Sequence, residues 1–304
     1  MIVLYFCFQL NLMSSNLQKW FLFILLSVIW GSSFVLMKEG LVNLTAFQVA
    51  SVRIVASGLV LVPYLYNAIQ NIPLTKWHWV FFSGALGSLL PAYMFCFAET
   101  GIDSSFAGAL NSLTPIFVII TGVLFFQMKP SSQKVMGILV AFSGCVILFL
   151  GQPVLKIGDN LSMALLVVLA TFCYGLNVNL VHRFLKGIPS LEIVSLALFL
   201  NAIPALTVLA CAGYFSLDFK HSGILVSSGY AALLGIGGTS IANILFYILI
   251  KKAGSIFSSM VTYGIPFVAI VWGLLYHEQI GWAQVGGLTV ILAGVFLANY
   301  TKRV

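Results

Sequence analysis

Charge is what this sequence has least of. Asp, Glu, Lys and Arg together make up 7% of its 304 residues, where soluble domains carry about 25%. So few charges do not cover the surface of a water-soluble fold, and the chain reads as an integral membrane protein. Histidine is nearly as scarce. His78, His182, His221 and His277 all fall at the ends of apolar runs or between them, no His-Glu-x-x-His run occurs, and no aspartate sits inside an apolar run. An intramembrane hydrolase needs a Ser/His pair, two aspartates or zinc ligands within its spans. Enzyme chemistry is therefore disfavoured, and no cofactor is expected. The five cysteines lie in apolar runs without a Cys-x-x-Cys pair, which argues against a disulfide framework or a zinc site. Basic side chains are missing from the runs as well, with Arg53 alone placed well inside one. Phosphate recognition takes several such residues, so sugar phosphates and nucleotide sugars are poor candidates for a ligand.

What fills the chain instead is hydrophobic residue, 61% of it, with a mean hydropathy of +1.09. Continuous apolar stretches fall at about 20–38, 46–66, 77–97, 104–126, 135–151, 161–180, 191–213, 224–250, 254–276 and 281–300. A helix needs ~20 such residues to cross a bilayer. Barrel strands would alternate apolar and polar residues, and these runs do not. The expected fold is all-α, with ten transmembrane helices. The net charge of +7 then belongs to loops rather than to nucleic-acid binding. With the N-terminus inside, Lys19, Lys76, Lys129, Lys134, Arg183, Lys186, Lys251, Lys252, Lys302 and Arg303 flank cytoplasmic ends, against Lys38, Lys156 and Lys220 outside. Basic residues concentrate in cytoplasmic loops, so both termini are expected in the cytoplasm, in a multi-pass protein of the inner (plasma) membrane. Residues 1–12 are apolar but too short to span, and they lack the basic flank of a signal peptide. Translation is expected to start at Met13, with residues 1–17 as an N-terminal extension.

The apolar runs also repeat. Residues 107–126, AGALNSLTPIFVIITGVLFF, align with 258–277, SSMVTYGIPFVAIVWGLLYH, placing Pro115 on Pro266 and Gly122 on Gly273. Upstream, Gly84, Gly87 and Phe95 fall on Gly235, Gly238 and Phe246. Downstream, after a one-residue slip, Gly137 and Gly144 fall on Gly287 and Gly294. Nearer the start of each copy, Trp30-Gly31 falls on Tyr174-Gly175. Five spans per copy is an odd number, so the second copy must cross in the opposite sense. Two inverted five-helix repeats are expected, 18–151 and 161–300, joined by a linker at 152–160 and followed by a tail at 301–304. Such repeats support alternating access around a site between them.

These features together resemble the drug/metabolite transporter superfamily, EamA branch. The resemblance rests on the two halves, the Pro-centred fourth helix of each, and the Gly-x6-Gly rhythm that follows. It rests too on Trp30-Gly31-Ser32-Ser33-Phe34 in the first helix and Arg53 early in the second. The family's Gly-Glu ending of the fourth and ninth helices is incomplete here, with Gln127 in one place and His277-Glu278 in the other. The resemblance implies an inner-membrane carrier of a small metabolite, often an exporter of amino acids. A neutral, zwitterionic or amphipathic solute suits a core with so little charge. Drug or toxic-compound efflux by the same fold and a passive channel are the alternatives. The partners expected are that solute and membrane lipid, with the chain acting as a monomer or weak homodimer.

Polar residues inside spans are costly unless they face the protein interior or a cavity. Matching positions of the two halves give Trp30, Ser33, Tyr93, Asn111, Tyr174, Asn177, Thr239, Asn243, Tyr247, Thr262 and Tyr263 as cavity candidates. Helix–helix glue is the plainer role for small polar residues. Pro115 and Pro266 are expected to break backbone hydrogen bonds and free carbonyls near Asn111 and Thr262. Trp20, Trp77, Trp79 and Trp282 lie at span ends and read as interfacial anchors. Arg53 is expected to pair with Glu99, as an outer gate, a clamp on a solute carboxylate, or a structural tie. Glu99 is also the best candidate for a proton site.

Overall fold

The computed structural model describes residues 14–102, 104–150, 161–275 and 282–299. The expected start at Met13, the 152–160 linker, the His277-Glu278 pair and the 301–304 tail lie outside the described residues. All regular structure among the described residues is helical. The first half holds α1 (Ser15–Gly40), α2 (Ala46–Leu59), α3 (Val62–Asn71), α4 (Trp77–Gly84), α5 (Leu90–Ala98), α6 (Ser104–Asn111), α7 (Thr114–Phe126) and α8 (Ser132–Leu150). The second holds α9 (Leu161–Phe184), α10 (Ser190–Cys211), α11 (Ser222–Leu233), α12 (Ala242–Ser259), α13 (Ile265–Leu275) and α14 (Trp282–Asn299).

Local chemistry sets the breaks. Thr45 and Gln48 form a reciprocal capping box that starts α2, satisfying two donors that a helix N-terminus leaves free. Between α2 and α3 the axis bends by 67°, with Pro63 in the first turn of α3, where its missing N–H costs nothing. Gly254 takes φ 82° inside α12, a left-handed value open mainly to glycine, and kinks that helix.

Among the described residues, six helical stretches are long and apolar enough to cross a membrane, seven when the bent α2–α3 pair is taken as one. Fewer stretches meet that test than the ten spans expected, for two reasons. The stretch Ser222–Val268 counts as one candidate of 47 residues although its backbone kinks at Gly254, and α8 and α14 offer only shorter apolar helices, Ser132–Ile147 and Val285–Asn299.

Glycines bring the helices together. A Cβ on Gly31 of α1 would stand 2.6 Å from the Val268 Cβ of α13, and one on Gly175 of α9 would stand 2.8 Å from the Phe117 carbonyl carbon of α7. In the duplication Gly31 matches Gly175 and Val268 matches Phe117, so the same contact occurs twice with the halves exchanged. The pairing of α8 with α14 does likewise: Gly144 rests on Ile291, and Gly294 on Ala141. Small residues allow this closeness, and the packing itself holds membrane helices together. Two apolar clusters result. One gathers around Leu22, Leu26, Val118 and Val261, the other around Met37, Val49, Phe95 and Leu234. The middle of α1 runs between them, carrying Trp30, Ser33 and Phe34.

Candidate functional site

A cavity of about 70 Å³ lies where the halves meet. Its walls are drawn from both copies: Trp30, Ser33, Phe34 and Met37 of α1, Arg53 of α2, Asn111 and Thr114 from the α6–α7 break, Tyr174 and Asn177 of α9, and Asn243 and Phe246 of α12. Thr239, Ser259 and Thr262 complete its polar lining.

Two π-helical segments pass beside it, Ala85–Leu89 between α4 and α5 and Leu234–Ile241 between α11 and α12. They occupy matching places in the duplication. A π turn adds a residue to the helical register and leaves backbone groups without their usual partners, which is why such turns gather at functional sites. Within the second segment the Gly238 carbonyl accepts from the Trp30 indole Nε1 at 3.1 Å. Glycine is needed at both places, because a Cβ on Gly87 would strike the Asn177 side chain and one on Gly238 would stand 2.7 Å from the Ser33 hydroxyl. Asn177 and Ser33 are themselves matching positions.

The aromatic walls show the same exchange. Trp30 meets Phe246 edge to face, with ring centroids 4.9 Å apart. Tyr174 lies roughly parallel to Phe95 at 6.1 Å. Trp30 matches Tyr174, and Phe246 matches Phe95. The cavity therefore offers two facing aromatic surfaces to an apolar body, while hydroxyls and amides supply its polar points.

Pro115 stands in the first turn of α7, directly after the α6–α7 break, and Pro266 stands at the start of α13, after a 3₁₀ segment at Met260–Gly264. The carbonyl that the first break exposes, that of Asn111, accepts from the Thr114 hydroxyl at 2.8 Å. The Thr262 carbonyl accepts the backbone N–H of Ile265. Thr262 donates its own hydroxyl to Ser259 at 3.0 Å. Each carbonyl thus has one partner within the chain, and a solute would be a second acceptance rather than the first.

Arg53 is the cation of the cavity. Its Nε donates to the Thr239 hydroxyl at 2.8 Å, and among the described residues its terminal nitrogens make no hydrogen bond. The pair with Glu99 expected from sequence does not form. Both Glu99 carboxyl oxygens are buried and, among the described residues, make no hydrogen bond of good geometry, although the charges of Lys38 and Arg53 bear on them and the Ser104 hydroxyl lies within reach as a donor. The reason is positional: Thr239 arrives from the other half and holds the guanidinium at the cavity, while Glu99 caps the end of α5 just past its span. Burial pushes the Glu99 carboxyl up to about 8, more than Lys38 and Arg53 pull it down.

Arg53 has no charged counterpart. Gly235 rests on the Arg53 backbone, and its match Gly84 rests on the backbone of Ala197. By that contact Ala197 occupies in the second half the place of Arg53 in the first.

Three of the expected cavity residues are turned elsewhere. The Tyr93 hydroxyl bonds Ser51 at 2.7 Å, that of Tyr247 bonds the Ser83 carbonyl and Asn177 Oδ1, and that of Tyr263 bonds the Ile138 carbonyl at 3.0 Å. Tyr247 and Tyr263 are fully buried packing residues. The apolar wall of Phe34, Met37, Phe95 and Phe246 went unread in the sequence, since a phenylalanine among twenty-five carries no polar signal. Trp272, whose indole donates to Ser32 at 3.0 Å, likewise passed unnoticed. The repeated glycines at 84 and 87 and at 235 and 238 were the available sign of the π segments.

Comparison with known proteins places this architecture. A transporter of Archaeoglobus fulgidus named only as an uncharacterized transporter is 26% identical over 286 residues, covering 92% of this chain and 98% of its own length. Proteins of Salmonella typhimurium and Escherichia coli, each named "probable amino-acid metabolite efflux pump", are both 23% identical, over 93% and 91% of this chain. A solved crystal structure shares the fold with a TM-score of 0.70 at 14% identity, over 92% of this chain and 95% of the other. The profile of the EamA-like transporter family matches twice, at residues 18–150 and 161–300. The chain belongs to the EamA-like transporter family, and it is a multi-pass membrane transporter rather than an enzyme.

Proposed function

We propose that this transporter moves a small carboxylate-bearing metabolite with an apolar body, of the amino-acid type, by alternating access between two inverted five-span repeats, and that it works as an exporter. The observation that carries the solute class is Arg53. It sits in the cavity with one bond to Thr239, and among the described residues its terminal nitrogens are uncommitted. A guanidinium offers two parallel donors that match a carboxylate, and a membrane-buried charge left without a partner is costly. Trp30, Phe246, Tyr174 and Phe95 suit an apolar or aromatic side chain beside it. The names of the two bacterial relatives point the same way.

The inverted repeat is supported by contacts that recur with the halves exchanged, at Gly31–Val268 and Gly175–Phe117 and at the two aromatic pairs. Ten spans are compatible with the helix lengths. At about 1.5 Å per residue, 47 residues make ~70 Å of helix, roughly twice a hydrocarbon core, and this stretch carries the Gly254 kink. The bias of Lys and Arg supports both termini in the cytoplasm of an inner-membrane protein, and the outward direction follows the relatives' name of efflux pump. The boundaries 18–151 and 161–300 define the two halves.

The test is counterflow and efflux in proteoliposomes against a panel of amino acids, their amides and their decarboxylated amines. Saturable flux of the acids, with competition among them and little flux of the amides, is expected. Equal flux of acids, amides and amines would sink the clamp, and non-saturating flux would favour a channel.

A further inference from the structure

We infer that Glu99 is a proton-binding site whose occupancy is linked to that of the anion site on Arg53. The carboxyl group closes α5 with both oxygens buried and, among the described residues, without a hydrogen bond of good geometry, the Ser104 hydroxyl lying beside them. A carboxylate in that position is expensive, whereas a neutral carboxyl is tolerated. Glu99 also forms part of the wall of a second, larger cleft of about 380 Å³, with Lys38, Thr45 and Thr100 beside it. That cleft gives protons a route from the membrane surface, and Arg53 on the far side faces the central cavity. The charged and titratable groups bearing on Glu99 are Lys38 from α1, Arg53 from α2 and Cys96 from its own helix, with the Ser104 hydroxyl from α6.

The linkage follows from charge alone. With the cavity empty, the positive charge of Arg53 favours ionised Glu99. A solute carboxylate on Arg53 cancels that charge and repels a second anion, so Glu99 takes up a proton as the solute binds. By reciprocity the solute binds more tightly where Glu99 is protonated. The coupling rests on the carboxylate reading of the central cavity, whereas the proton site itself does not.

Two measurements on the full-length protein separate the two. The infrared carbonyl band of a protonated carboxyl is followed, without solute, between about pH 6 and pH 10. Loss of a band near the middle of that range in the wild type, and its absence in Glu99→Gln, is expected. The glutamine keeps the neutral shape and so the fold. Lys38→Met should raise the midpoint, because it removes the charge that opposes protonation. A band that titrates identically in Glu99→Gln, or no titrating band, overturns the proposal. Calorimetry with L-phenylalanine in two buffers of different ionisation heat then counts protons. Uptake of about half a proton per solute near pH 8.5 is expected for a midpoint raised by about one unit, with none in Glu99→Gln beyond the solute's own titration. Affinity should fall several-fold, up to about tenfold, from pH 6.5 to pH 9.5, and stay flat in Glu99→Gln. Equal proton counts in both proteins overturn the linkage. If the band titrates but no acid of the panel binds, the proton site stands, and the carboxylate reading fails and takes the linkage with it.

Discussion

Replacing Arg53 by methionine separates a binding charge from a structural one. Methionine keeps the length and removes the donors. On the protein side the loss is a single hydrogen bond, Nε to Thr239 at 2.8 Å, worth about 1 kcal/mol net. Against it stands the desolvation of a guanidinium that is 9% exposed and, among the described residues, has no carboxylate partner, a cost that methionine removes. The two roughly cancel, so insertion and melting should hold or improve. On the solute side the loss is larger. A charge-assisted hydrogen bond contributes about 1.5–3 kcal/mol, which corresponds to a drop of about ten- to a hundredfold in affinity for a carboxylate solute. The assay pairs a melting curve in detergent with counterflow of amino acids and their amides in proteoliposomes. Discrimination between acid and amide should collapse while melting stays put. A sharp fall in melting with discrimination intact among the surviving molecules would refute the clamp and return Arg53 to a structural role.

Further outcomes follow from the same geometry. Gly175→Leu should cost most of the inserted, folded yield, because a Cβ there already stands 2.8 Å from the α7 backbone and neither helix has room to retreat; Gly31→Leu should behave alike, and size-exclusion profiles of the solubilised protein read both. Tyr263→Phe removes only the hydroxyl that bonds the Ile138 carbonyl, so it should lower stability by about 1 kcal/mol without altering which solutes compete. Trp30→Phe should do the reverse, losing the indole bond to Gly238 and reshaping the wall against Phe246. Competition curves for aromatic against small aliphatic amino acids should shift by several-fold while folded yield is kept.

Much of this arrangement was legible because duplication makes a sequence its own comparison. Gly31, Gly84 and Gly87 stand out only when Gly175, Gly235 and Gly238 answer them, and each proves to be a place of close approach. Polar residues within spans were a fair guide to Asn111, Asn177, Asn243 and Thr262, since an amide in hydrocarbon must face something polar. The rule failed for tyrosine. A phenol on a long rigid ring reaches backbone carbonyls far from its own helix, as Tyr263 reaches Ile138, so polarity told that a partner exists without telling which. It failed for Arg53 too, where a shared membrane side favoured Glu99 and the third dimension supplied Thr239. Helix number is the least direct inference: apolar length marks segments, but where the connection between two expected runs is a kink at Gly254 rather than a polar loop, the two follow each other as one helical stretch.

The departures from symmetry bear on how such a carrier gains a direction. Under the proposed alternating access, a frame of matched glycines, matched π segments and matched aromatic pairs would bring the two packings of the halves close in energy. Equal packings around an equally shared site would also bind solute alike from either side. Here the ionic groups break that equality. Arg53 is answered by Ala197, and Glu99, in the register that sets Phe95 on Phe246, is answered by Ile250, a fully buried hydrocarbon. The charge proposed to receive an anion and the carboxyl proposed to respond to it therefore belong to one half, one on the central cavity and the other on the neighbouring cleft. A ligand shifts a two-state equilibrium only by its differential affinity for the states, and this one-sided pair is where such a difference arises. Transferring the charge, as Arg53→Ala with Ala197→Arg, should exchange the side from which carboxylate solutes bind more tightly. Right-side-out and inside-out vesicles measured in parallel would reveal it, and unchanged sidedness would mean that the frame, not the charge, sets direction.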